Sequence, residues 1–111
     1  MEPNQAGQLR FTAEGKYYTL SYKRIYLSDS IERINVFGKE KSILFQSDRP
    51  EIRLKEKRRA PKWKIIEGGN PEMMKHSVFI HSLIYQLESE LDHIEFPKGI
   101  NAEYQRTKKS Y

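Results

Sequence analysis

The stretch Glu32-Arg33-Ile34-Asn35-Val36-Phe37-Gly38-Lys39-Glu40-Lys41-Ser42-Ile43-Leu44-Phe45-Gln46 decides the fold. Two β-prone runs flank a Gly38-Lys39-Glu40 break, the pattern of a short-looped hairpin. In the first run Ile34 and Val36 point one way while Arg33, Asn35 and Phe37 point the other. In the second, Ile43 and Phe45 share a face opposite Ser42, Leu44 and Gln46. Alternation of this kind requires one buried face, so the rest of the chain must cover the hairpin or extend its sheet.

Upstream, Leu9, Phe11 and Ala13 alternate with Arg10 and Thr12, a short strand ending at Glu14-Gly15. Residues 16–27 form a longer one, with Tyr18, Leu20 and Tyr22 on one face and Tyr17, Thr19, Ser21 and Lys23 on the other. Ser28-Asp29-Ser30 is a turn. Downstream, Ser47-Asp48-Arg49-Pro50 stops the hairpin's second strand, since Pro50 cannot donate a ladder hydrogen bond and biases Arg49 away from helical geometry. Residues 51–61 make a basic excursion, and Pro61 argues against one long helix through it. Lys62-Trp63-Lys64-Ile65-Ile66-Glu67 returns as a strand with Trp63 and Ile65 facing the core, and Gly68-Gly69 closes it.

Asn70 is a good N-cap, Pro71 suits the first helical position, and Glu72 suits the positive end of the helix dipole. Met73, Ser77, Ile80, Ile84, Leu87, Leu91 and Ile94 then recur at spacings of four and three, widened by Phe79 and Leu83. Pro97 and Gly99 end the pattern. The expected architecture is α+β: an antiparallel sheet of four or five strands near residues 9–13, 16–27, 31–37, 41–47 and 62–67, with one long C-terminal helix packed on one face. A curled, pleckstrin-like barrel is the alternative, disfavoured by too few strands. A helix over residues 71–94 is about 36 Å long at 1.5 Å per residue, whereas six-residue strands span about 20 Å. The helix should overhang, leaving Leu87, Leu91 and Ile94 to be covered by a second copy of the chain, by the N-terminal arm or by the tail; with Ile84 they are the candidate surface for self-association or for another protein.

The 111 residues suit one domain, over 8–96, between a disordered N-terminus (1–7) and a polar, basic tail (97–111). The absence of cysteine removes disulfides, thiolate metal sites and thiol nucleophiles, and fits a reducing compartment. The N-terminus lacks the basic-then-apolar run of a secretory signal. The longest apolar stretch, residues 78–87, is too short to span a bilayer. The expected setting is cytoplasmic, with no membrane.

The formal charge of +5 is unevenly placed. Residues 49–64 hold eight Lys/Arg against Glu51 and Glu56, which is +6 in one segment and −1 for the rest. Arg53, Lys55, Lys57, Arg58, Arg59, Lys62 and Lys64 are therefore candidates for binding nucleic acid or another anion, with Trp63 placed to stack a base. Tyr18 and Tyr22, near Lys16, Lys23 and Arg24, resemble the aromatics of single-strand-binding sheets, although one sheet face must be buried. The same cations have a second candidate partner. Glu88, Glu90, Asp92 and Glu95 crowd the C-terminal end of the helix against its dipole, and the basic excursion can fold over them, with Arg58 and Arg59 as the test positions.

Catalytic patterns are missing. His76 and His81, five apart, would lie about 140° from each other on a helix, and no zincin spacing joins them with His93. Ser77 and Ser82 lack a glycine-bearing elbow, and Gly68-Gly69 lacks both phosphate-loop patterns. The helix carboxylates spread round its last turns instead of converging. No catalytic residue, metal, cofactor or small-molecule substrate is expected. The first expectation is a non-catalytic protein-interaction module, self-associating through its C-terminal helix; the alternative is a nucleic-acid-binding protein using residues 49–64.

The run from Glu32-Arg33-Ile34 through Ser42-Ile43-Leu44-Phe45-Gln46-Ser47-Asp48-Arg49-Pro50, with Trp63-Lys64-Ile65-Ile66-Glu67-Gly68 after a basic loop, resembles short uncharacterised bacterial proteins of Bacteroidetes type. The resemblance covers about half the chain. It implies a stand-alone cytoplasmic domain, and transfers no activity and no site residue.

Overall fold

The computed structural model describes residues 5–95, so the expected tail and the first four residues lie outside the described part. The chain order is β1 (Ala6–Ala13), β2 (Lys16–Leu27), β3 (Glu32–Phe37), β4 (Ser42–Ser47), α1 (Arg49–Leu54), β5 (Trp63–Glu67), α2 (Pro71–His76) and α3 (Val78–Glu95). The five strands form one open antiparallel sheet in the order β1-β2-β3-β4-β5. No barrel closes. β1 starts three residues earlier than the apolar alternation indicates, because Ala6 and Gly7 pair with Lys23 and Tyr22.

Local chemistry sets the connections. Glu14 and Gly15 both have positive φ (52° and 79°), the two-residue turn whose twist matches an antiparallel ribbon. In the second turn the Ser28 Oγ accepts from the backbone N–H groups of Ser30 and Ile31. Gly68, at φ 88°, ends β5, and a Cβ there would run into the Ser42 carbonyl oxygen.

The inner sheet face carries Leu9, Phe11, Ala13, Tyr22, Ile34, Val36 and Phe45, packed against Ile80, Leu83, Ile84, Leu87 and Leu91 of α3. Phe79 joins Phe11 and Tyr18 in an aromatic cluster with ring centroids 4.8–5.7 Å apart. Trp63 sets its ring edge-on to Phe45. Trp63 and Ile65 pack on the core, as their strand positions require.

The expected single helix is two. The Asn70 side chain accepts from the Met73 N–H, as its capping chemistry indicates. The helix then breaks at Ser77, whose backbone is extended (φ −82°, ψ 115°). The Ser77 Oγ accepts from the Ile80 N–H, so a serine read as one position of a continuous helical stripe is instead the cap that starts α3. The 140° arithmetic for His76 and His81 fails with it, since they lie on different helices.

With 18 residues, α3 is about 27 Å long. Its apolar side is covered within the chain: Leu87 and Leu91 are fully buried and Ile84 nearly so, while Ile94 is half-buried. The ridge expected to remain for a second copy is therefore occupied by its own subunit, and self-association finds no surface in Ile84, Leu87 and Leu91. Among the described residues no helix is long and apolar enough to cross a membrane.

Candidate functional site

Where β4 ends, the expected stop is the start of α1. Pro50 sits in the first turn, where a missing N–H is no loss, and Asp48 precedes it. This short helix holds Arg49 within a buried ionic cluster. Glu32, fully buried, accepts from Arg49 Nη1 at 2.7 and 2.9 Å, from Arg24 Nη1 at 3.2 Å and from Ser47 Oγ at 2.8 Å. Ser47 faces Glu32 across β3–β4, and its Oγ also accepts the Arg49 backbone N–H. Arg49 Nη2 reaches Asp92 of α3 at 2.9 Å, and Arg53 Nη2 reaches the same oxygen at 3.1 Å.

Arg24 enters the cluster by strand parity, continuing the inner face of Tyr18, Leu20 and Tyr22. The β2–β3 register shifts only after it, between Arg24 and Tyr26, and this bulge turns Tyr26, opposite Arg33, outward. Arg24, read from the sequence as a cation beside an aromatic platform, is 1% exposed, and Tyr22 is equally buried. Tyr18 packs against Phe11 and Phe79. That expected platform is core.

The basic excursion does fold towards the acidic end of the helix, through other residues than expected. Arg49 and Arg53 meet Asp92, and Trp63 Nε1 donates to Glu88 at 2.7 Å. Arg59 instead donates to Asp48 at 2.7 Å, and Lys57 to Glu51 at 2.7 Å. Lys55, Arg58, Lys62 and Lys64 are exposed and form no ion pair among the described residues. The seven candidate cations thus divide: Arg53, Lys57 and Arg59 are paired within the chain, and four remain available to a partner.

Asp48 ties the excursion down, accepting from the Lys62 N–H at 2.7 Å as well as from Arg59. Burial pushes its carboxyl up, but the Arg59 hydrogen bond and charge and the Lys62 N–H together outweigh that, and it ionises below the ordinary 3.8. A depressed folded-state pKa contributes stability above the ordinary value, and that contribution is lost as pH falls through the folded value. Asp48→Asn is therefore expected to lower the melting temperature at neutral pH and to flatten its decline below about pH 4. Melting curves across that range check this; an acid limb as steep as the wild type's would contradict it.

The surface left open is the outer face of the sheet. α2 and α3 lie on the other side, and the outward positions are exposed or half-buried. Strand register places there Arg10 (β1), Tyr17 and Lys23 (β2), Tyr26 beyond the bulge, Arg33 and Phe37 (β3), Gln46 (β4) and Lys64 (β5). Tyr26, Arg33, Gln46 and Lys64 form one transverse row. The Arg33 guanidinium carbon lies 5.8 Å from the Tyr26 ring centroid, and its Nε donates to Gln46 Oε1 at 3.0 Å. Glu67, opposite Leu44, is the acidic side chain on this face. Period-2 alternation already assigns Tyr17, Lys23, Arg33 and Phe37 to the uncovered side. The missed signal was that their strands bring them together.

On the helix side, a shallow groove of about 300 Å³ runs past Trp63, Met74, Tyr85 and Glu88, with the His81 ring held by the Met74 carbonyl at 2.6 Å. Among the described residues no three His, Cys, Asp or Glu side chains group as metal ligands. No family model, curated protein or solved structure matches the chain.

Proposed function

We propose that the protein is a non-catalytic binding module whose working surface is the uncovered sheet face and whose partner is nucleic acid. The observation that carries the reading is the makeup of that face: Arg10, Lys23, Arg33 and Lys64 stand against Glu67, interleaved with exposed rings. Cations so placed attract a polyanion, and each phosphate neutralised releases counterions. The role first assigned to residues 49–64 thereby moves to the sheet, with Lys64 common to both. Self-association through α3 loses its support, because the ridge it would use is buried.

Fluorescence anisotropy with a labelled mixed-sequence oligonucleotide tests this. Binding should weaken with salt, with a log–log slope of about −3 for four phosphate contacts on a single strand. Arg33→Glu combined with Lys64→Glu should reduce affinity at least tenfold, by about 1.4 kcal/mol or more, whereas Arg58→Glu should change it less than about threefold. No binding at low salt would reject the reading. Loss confined to Arg58→Glu would return the site to the basic excursion.

A further inference from the structure

Resting on that reading, we infer that the face takes single-stranded nucleic acid, with unpaired bases stacked on Tyr17, Phe37 and Tyr26 and the backbone following the β2–β3 pair. Cations alone do not discriminate a single strand from a duplex; the rings and the shape of the surface do. Tyr17, Tyr26 and Phe37 are 67%, 46% and 38% exposed on a face that the helices leave uncovered. In a duplex the base faces are stacked on one another, so these rings would meet only sugar and phosphate. Unpaired bases present a π-face to each.

Shape points the same way. A duplex major groove, about 12 Å wide, admits a helix or a two-stranded ribbon. Five strands at about 4.8 Å spacing make a surface roughly 19 Å across, too broad to enter.

The rings also lie in line. Phe37 pairs with Ser21, four residues along β2 from Tyr17, so these two side chains are separated by about 14 Å at 3.4 Å per residue. Tyr26 follows at the far end of β2, with Lys23 between it and the Phe37 row and Arg33 directly opposite it. The order along the ribbon is ring, ring, cation, then ring with cation, which matches bases on aromatics beside a phosphate chain. Arg10 and Lys64 flank this track on the outer strands.

The test compares the full chain's affinity for a single-stranded oligonucleotide, for the duplex of the same sequence, and for polyglutamate of similar charge. The single strand should bind at least tenfold tighter than either. Tyr17→Ala combined with Phe37→Ala should lower single-strand affinity roughly tenfold or more and leave duplex affinity unchanged. Both positions are exposed, and a melting temperature within a few degrees of wild type verifies the fold. Duplex bound as tightly as single strand, with the alanine variant silent, would overturn the inference while the nucleic-acid reading stands. Polyglutamate competing equally would overturn it in favour of an acidic protein partner. No binding of any of the three would remove both the inference and the reading beneath it.

Discussion

Glu32→Ala is expected to leave the protein barely folded at physiological temperature. The substitution takes the shared carboxylate from between Arg24 and Arg49, both almost fully buried, and leaves Ser47 Oγ without its acceptor. Removing one partner of a buried ion pair costs about 3–5 kcal/mol; here two buried guanidinium groups lose the carboxylate they share, although Arg49 keeps Asp92. A small domain has a total of about 5–15 kcal/mol, so the fall in melting temperature should be on the order of 20 °C. The loss should be insensitive to salt, since a buried cluster is poorly screened. Arg59→Ala, which breaks a partly exposed pair with Asp48, should cost no more than about 1 kcal/mol. Urea unfolding of both variants checks the contrast. A Glu32→Ala loss below about 1 kcal/mol would show that water reaches the cluster.

The second large effect concerns Leu87. Because its side chain is wholly buried against the sheet, Leu87→Ala should destabilise the single chain by about 2–5 kcal/mol, through lost transfer energy and the cavity left behind. Had the residue been an interface position, the same change would weaken association and spare the monomer. Thermal unfolding over a hundredfold range of protein concentration separates the two. A concentration-independent loss is expected, and a normal monomer with impaired association would contradict the packing described above.

What was legible in the chain follows from the range of the interactions concerned. Side-chain parity is a local property, so the inward set of Tyr22, Ile34, Val36, Phe45 and Trp63 and the outward set of Tyr17, Lys23, Arg33 and Phe37 were readable strand by strand. The same holds for the cap at Asn70, whose partner is three residues away. The Arg24–Glu32–Arg49–Asp92 cluster was not. Its members are 8, 17 and 43 residues apart; parity puts Arg24 on the inner face with Tyr22, but nothing local shows which distant carboxylate it meets there. Ser77 misled because it falls in step with the apolar stripe of one continuous helix, and only the extended backbone there shows it to be an N-cap. Pro50 misled similarly: proline can end a strand or begin a helix, and here β4 has ended at Ser47 and Pro50 sits in the first turn of α1. The helix overhang was inferred from length, which the Ser77 break shortens.

The uncovered sheet face as the nucleic-acid surface is most directly tested by amide chemical shifts during titration with a single-stranded oligonucleotide. Perturbations should concentrate on Tyr17, Lys23, Tyr26, Arg33, Phe37, Gln46 and Lys64, and leave α3 unmoved. Shifts confined to the exposed excursion around Lys55, Arg58 and Lys62, or a spectrum unchanged at saturating oligonucleotide, would contradict it.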